Sequence, residues 1–463
     1  MPDSTRDWES LAREIEGDVA LPGSAPYDAA RPAFNARFHE MRPKAIVSCA
    51  SAPDVAQVIS FGRRHGEPIA PRNGGHSFSG RSSTPGIVID VTPMRSMSVS
   101  DGVATVGSGA RLGDVYPALD AGGLTIPVGT CPDVGVAGLT LGGGLGILGR
   151  QYGVTSDRLI GAQIVLADGR ILTCDEHHDE DLFWALRGAG AGTFGVVTSL
   201  VFDTVPAHPA TNVHLVWPFS RAAQVIEAWQ SWAPDAPDEV AASLKLTVTG
   251  DPGEPPSVDV YGAAFGSGSA EAASFDELIA RAGSDPVSTW SRPLSFPETR
   301  RFWAHLGDPG WDREVIAGSL APVRLFAKTE FFRRPLPADA VMGLLRAFEL
   351  DRVSGESREL DFMPWGGAYA RVRTDATAFV HREERFLLKH SAVVEADTSA
   401  RMNRAAHRYV TCSWGSVHAW ASGRMFQNFA DPDVGEWAEA YYGPNLDRLR
   451  RIKDRYDPER VFA

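Results

Sequence analysis

The sequence predicts an α+β fold built from two unlike halves. Three observations carry this reading. Short apolar runs bounded by Gly and Pro alternate with amphipathic segments from Pro43 onward, Gly-rich stretches crowd the part before residue 206, and residues 206–425 alternate strands with helices without those stretches. Forty-six Gly and 32 Pro in 463 residues are too many for a helical bundle and have no fibre period. The length allows two or three domains.

Residues 7–17 and 27–39 read as short helices. Lys44–Cys49 is a strand, and Ser51, Pro53 and Asp54 then open a helix whose Val55, Val58 and Ile59 recur at helical spacing. Strands follow at 67–72, 86–91 and 103–107, with a helix at 111–121. A hairpin over 159–174 turns on Ala167-Asp168-Gly169-Arg170, and a helix at 179–187 leads into a strand at 194–204. Beyond Pro206, strands at 242–248, 257–264, 358–363 and 367–372 alternate with helices at 220–232, 270–282, 337–349 and 398–410. That order describes an antiparallel sheet with helices on one side. The tail 433–456 is helical. The expected division is 1–205, 206–425 and 426–463.

A formal charge of −13 argues against nucleic acid and anionic membranes as partners, because phosphate binding rests on cationic neutralisation. Cys49, Cys131, Cys174 and Cys412 form no CxxC pair, so neither a disulfide framework nor a zinc site is expected. The polar run Glu176–Asp181 reads as a solvated turn with Asp179 as a helix N-cap, and no metal site is expected. The polar N-terminal stretch lacks a signal-peptide pattern, which makes the cytosol the expected location.

Two stretches match G-x-G-x-x-G: Gly144, Gly146, Gly149 and Gly190, Gly192, Gly195. A dinucleotide fingerprint needs a strand before it and a helix after it. The first match is followed by a polar turn, and the second runs from helix to strand, so neither is a nicotinamide site. Gly without a side chain lets backbone N–H groups approach a ligand, and such nests hold pyrophosphate without much cationic charge. Several of them in one half of an acidic chain point to a long phosphorylated cofactor lying along exposed backbone.

Arg72-Asn73-Gly74-Gly75-His76-Ser77 follows a strand, and Gly129-Thr130-Cys131-Pro132-Asp133-Val134-Gly135-Val136-Ala137-Gly138 runs into LTLGGGLG. FWALRGAGAGTFGVVT (183–198), GGAYARVRTDATAFVHR (366–382) and YYGPNLDRLRRIKDRYDPERVF (441–462) come after them. In this order and spacing the chain resembles the berberine-bridge-enzyme-like flavoproteins of the vanillyl-alcohol-oxidase superfamily. The resemblance implies a two-part FAD-binding domain with an inserted substrate domain, the C-terminal segment returning to the first part. It further implies a bicovalent flavin, with His76 on the 8-methyl group and Cys131 on carbon 6. Imidazole and thiolate are side chains able to add to an electrophilic ring. The remaining cofactor contacts it implies are Arg72, Asn73, Gly74, Gly75, Ser77, Gly135, Val136, Gly138, Leu141, Gly142, Gly143, Gly195, Val197 and Asn428.

Many members of that family carry Y-x-N-Y, with the second Tyr as proton acceptor. Here the segment is Phe426-Gln427-Asn428-Phe429, which cannot take a proton. Asp361, five residues before Gly366, stands where relatives place an active-site Glu or Gln, and it shares a strand face with Met363. A carboxylate desolvated against a flavin would have its pKa raised toward that of a useful base. Tyr369 is the second candidate. Met363, Trp365, Phe426 and Phe429 are the expected groove residues, with Trp303, Trp414 and Trp420 as further aromatics. Val134, third after Cys131, resembles the residue of oxidases at the oxygen-access position, where dehydrogenases have Ile. The expected activity is a covalent-FAD oxidase that takes hydride from a natural-product alcohol or sugar hemiacetal and reduces dioxygen to hydrogen peroxide. A dehydrogenase or oxidative cyclase, and a flavin-loaded binding protein, are the alternatives.

Overall fold

The computed structural model describes residues 4–266, 269–306 and 322–462. Near the N-terminus, Ala45–Ser48, Ile87–Asp90 and Ile69–Arg72 pair in parallel, and Asp18–Ala20 adds an antiparallel edge. The crossover helix, Ala52–His65, follows its sequence signals. Ser51 Oγ accepts the Asp54 N–H at 3.3 Å, and Gly66 ends the helix at φ 65°. Its Val55, Val58 and Ile59 are fully buried against the strands. A second, antiparallel sheet has the order Met97–Ser100, Val103–Gly107, Gly195–Asp203, Leu159–Leu166, Ile171–Cys174. The expected 159–174 hairpin forms its last two strands.

The third sheet is antiparallel and has seven strands, ordered Ser288–Leu294, Ala210–Pro218, Ser257–Phe265, Val240–Val248, Ser357–Pro364, Phe386–Glu395, Val323–Phe332. Helices Ala222–Trp232, Ser269–Ala282, Ala338–Glu349 and Ala400–Gly415 cover one face of it. Leu244, Leu360, Phe362 and Leu388 from the strands pack there on Trp229, Leu278, Leu344 and Val410 from the helices. Side chains alternate across a strand, so Lys245, Asp361 and Lys389, directly opposite one another, share the uncovered face. That face meets the Gly-rich loops of the first half.

Several elements differ from expectation. Residues 367–372 are not a strand. Gly366 and Gly367 take φ values of 97° and 54°, and a short helix, Ala368–Arg371, follows. The chain reverses there around the buried Arg150, whose Nη1 donates to Trp365 O at 2.7 Å and Pro234 O at 2.9 Å. A side chain on Gly367 would strike the Arg150 carbonyl. The expected helix 27–39 divides into Ala25–Ala30 and a single turn, Ala36–Phe38, because Pro32 has no N–H to continue it. The strands Asp18–Ala20, Met97–Ser100, Ala210–Pro218, Ser288–Leu294, Val323–Phe332 and Phe386–Glu395 are additional to the expected ones. The tail divides at Gly443-Pro444 into Trp437–Tyr442 and Leu446–Tyr456.

The helix Leu446–Tyr456 packs against residues before 206. Leu449, Ile452 and Tyr456 join the cluster that holds Leu182 and Phe183. Asp179 precedes the helix Glu180–Leu186 but makes no side-chain cap; its carboxylate accepts the Tyr456 hydroxyl at 2.8 Å. Among the described residues no helix is long and apolar enough to cross a membrane. Trp229 is fully buried against Phe362 and Phe386. Trp229→Ala is expected to cost ~3–5 kcal/mol, read as a lower urea midpoint and thermal midpoint.

Candidate active site

A cavity of about 790 Å³ lies between the uncovered sheet face and the loops 71–82, 129–145, 189–197 and 426–434. The first loop leaves the strand Ile69–Arg72, and the second runs into the helix Val136–Leu141. The two touch backbone to backbone. A Cβ on Gly74 would lie 2.6 Å from Gly135 N, and one on Gly135 would lie 1.7 Å from Asn73 Oδ1. Only residues without side chains permit this approach, which brings His76 and Cys131 to the same cavity wall.

The His76 ring stacks on Phe34, with centroids 4.0 Å apart and planes 16° apart. Burial, only partly offset by Asp133, pushes its pKa down to about 4, so the imidazole is neutral at neutral pH. Burial pushes the Cys131 thiol up, against backbone N–H groups of Asp133 and Val134 that favour the thiolate. Val134 lines the cavity beside them.

Of the expected cofactor contacts, Arg72, Asn73, Gly74, Gly75 and Ser77 line the cavity, as do Gly135, Gly138, Leu141, Gly142, Gly195, Val197 and Asn428. Val136 and Gly143 lie behind the wall, Val136 in the core and Gly143 against Phe379. Asn428 also stitches the wall together: its Oδ1 accepts the Gly144 N–H at 3.0 Å and its Nδ2 donates to Leu139 O at 2.9 Å.

Phe426 and Phe429 line the cavity, and Phe429 packs on Phe78 with centroids 5.0 Å apart. The other expected groove and base residues are set back. Trp365 is fully buried, its Nε1 donating to His381 O at 2.8 Å, and Tyr369 stacks on it with its hydroxyl on Gly146 O at 3.3 Å. Met363 packs beside them. Burial pushes the Tyr369 phenol up, which removes it from proton transfer at neutral pH. Trp303 donates to Asn212 Oδ1 at 3.2 Å, Trp414 stacks on His418, and Trp420 is exposed; none of the three lines the cavity. Tyr441 and Tyr442 do line it, but each hydroxyl is engaged. Tyr441 accepts the Asp431 N–H at 2.8 Å, and Tyr442, pushed up to about 12 by burial, donates to Ala189 O at 2.7 Å.

Asp361 sits in an ionic square rather than alone against apolar groups. Lys245 and Lys389 flank it on the two neighbouring strands, and each Nζ lies 2.9 Å from Glu359 and 3.6 Å from Asp361 Oδ2. Ser243 donates to Asp361 Oδ1 at 2.6 Å. Glu359 therefore takes the tight ammonium contacts, and Asp361 Oδ2 stays beyond hydrogen-bond length of both lysines. Burial opposes the charge on Lys245, but Asp361 and Glu359 hold it above the ordinary lysine range. Both lysines line the cavity, whereas the Asp361 side chain is 8% exposed behind them. Lys245 was discoverable from the polar alternation Ser243, Lys245, Thr247. Lys389 was not, because its strand reads as an ambiguous apolar run.

A flavin dinucleotide suits this cavity on its own features. Arg72 Nη2, Asn73 Oδ1 and Ser82 Oγ are buried on its wall without a partner among the described residues, which leaves two possible donors and an acceptor for a polar ligand. An imidazole and a thiol converge on the same wall. The comparisons agree with these features. Residues 43–175 match the sequence model of an FAD binding domain, and 425–463 match that of berberine and berberine like proteins. A Bacillus subtilis protein named uncharacterized FAD-linked oxidoreductase YgaK is 30% identical, over 97% of this chain and 96% of its own. Chitooligosaccharide oxidase of Gibberella zeae is 28% identical over 95% of this chain and 90% of its own. The solved structure of wild-type Physcomitrella patens BBE-like 1 superposes with a TM-score of 0.86 at 27% identity, covering 98% of this chain and 97% of that one. With the loops, the cavity and the full-length match in accord, the chain belongs to the berberine-bridge-enzyme-like FAD-linked oxidoreductases.

Proposed function

We propose that the protein is an FAD-dependent oxidase that removes hydride from a hydroxyl-bearing carbon of an organic substrate and passes the electrons to dioxygen, releasing hydrogen peroxide. In this reading the flavin is held by two covalent bonds, at His76 and Cys131. The observation that carries it is the Gly74–Gly135 contact, which sets a neutral imidazole and a thiol on one cavity wall. Relatives named chitooligosaccharide oxidase and xylooligosaccharide oxidase support the oxidase class.

Bound FAD supplies the hydride acceptor and its reoxidation by dioxygen. The chain supplies the rest. Phe78, Phe429 and Leu145 present an apolar wall to the substrate body. Lys245 and Lys389 donate to the substrate oxygen, and Asp361 Oδ2 accepts the hydroxyl proton. A hydroxyl whose carbon loses hydride becomes a protonated carbonyl, a far stronger acid than a carboxylic acid, so a carboxylate suffices as its acceptor. The balanced charge of the square suits a neutral hydroxylated substrate. Val134, in place of a longer Ile, leaves room for dioxygen beside Cys131. The square of placed charges also favours turnover over a mere flavin store.

On a substrate found by screening sugars, alcohols and aromatic metabolites for peroxide release, Asp361→Asn is expected to slow anaerobic flavin reduction more than ~100-fold. Unchanged reduction would remove Asp361 from the chemistry. His76→Ala is expected to leave one flavin linkage, at Cys131, seen in digested peptides. Burial opposes ionisation of Glu359, but Lys245 and Lys389 hold it below the ordinary carboxylate range. Its contribution to stability is therefore complete above the unfolded value of ~4.3 and is lost as pH falls through the lower folded value. Glu359→Gln is expected to lower the urea midpoint at neutral pH, with the gap to wild type closing below about pH 4.

A further inference from the structure

The segment before the strand Ala45–Ser48 passes over the His76 loop and is pinned on both sides of it. Arg72 Nη1 donates to Ala30 O at 2.6 Å, and the Phe34 N–H donates to Gly75 O at 3.2 Å. Asn35, fully buried, clasps the edge strand of the seven-stranded sheet: its Nδ2 donates to Leu325 O at 2.8 Å and its Oδ1 accepts the Leu325 N–H at 3.1 Å. Between these anchors the Phe34 ring lies nearly flat on the His76 imidazole. Phe34 stands outside the residues that match the two family sequence models.

We propose that Phe34 is the positioning residue for flavin attachment at His76, a role that rests on the bicovalent reading above. An imidazole on a glycine loop turns freely about its side-chain bonds, and attachment needs one ring nitrogen aimed at the flavin 8-methyl carbon. A flat aromatic face fixes the ring plane and so supplies the orientation. The charged pair Arg111 and Asp133, 3.5 Å apart, acts on the same ring with opposite signs, so it supplies little net charge to orient it. In the attachment a C–N bond forms while one methyl C–H and the imidazole N–H break. The two electrons and two protons released pass to dioxygen, which leaves as hydrogen peroxide.

The test compares the full-length wild type with Phe34→Leu, which keeps apolar bulk without a flat face, and Phe34→Tyr, which keeps the face. Riboflavin is supplied to depleted cells expressing each protein, and flavin-bearing His76 and Cys131 peptides are quantified over time. The expected result for Phe34→Leu is His76 attachment slowed at least ~10-fold while Cys131 attaches at the wild-type pace, with Phe34→Tyr matching wild type. Phe34→Leu attaching His76 at the wild-type pace would overturn the assignment. So would equal loss of both linkages, which would mark a structural role. An unmodified His76 in the wild type would instead overturn the bicovalent reading, and the positioning role with it.

Discussion

Two glycines in contact, Gly74 and Gly135, set the geometry on which the candidate site depends. Gly74 lies in a loop that leaves a strand and Gly135 in one that runs into a helix, and a side chain at either position would push the loops apart. Because they close, His76 and Cys131 share one wall while lying 55 positions apart in the chain. Burial then sets their chemistry. The imidazole is neutral, so its lone pair is available, and burial opposes the Cys131 thiolate that the backbone N–H groups of Asp133 and Val134 favour.

The opposite wall follows from sheet physics. Four helices bury one face of the seven-stranded sheet under aromatic and aliphatic side chains, so the residues between them in sequence must face the cavity. Strand register places Lys245, Asp361 and Lys389 in one row, with Glu359 two residues away along its strand. A row of this kind needs its charges balanced within itself, because unpaired ions this far from water would be costly. Glu359 supplies the balance, and Asp361, with Oδ1 on the Ser243 hydroxyl, is left with Oδ2 beyond hydrogen-bond length of either ammonium.

Much of this was legible in the sequence, for physical reasons. Ser51, Pro53 and Asp54 open a helix because a cap is local chemistry. The glycine loops with their His and Cys stand out because no ordinary packing explains such a cluster of residues without side chains. What stayed hidden depends on distant parts of the chain. Residues 367–372 look like a strand until Arg150 takes the preceding carbonyl and the two glycines reverse the backbone. The strand Ser288–Leu294 is mostly exposed and lacks alternation, and Phe386–Glu395 is too continuously apolar to separate from a helix. Lys389 was lost with it, and Phe34 was lost inside an expected helix that Pro32 ends early. Asp361 stands out by its position before Gly366, but the two lysines beside it come from two other strands.

In the proposed reading one flavin is bonded to both loops at once, and mass spectrometry of the tryptic peptides reads that linkage. Trypsin should release residues 73–81, with His76, and 112–150, with Cys131, from holoprotein made with ample riboflavin. The expected product is a single species in which these two peptides are joined through one FAD that survives acid denaturation. Two free, unmodified peptides from a protein that had carried flavin would contradict it.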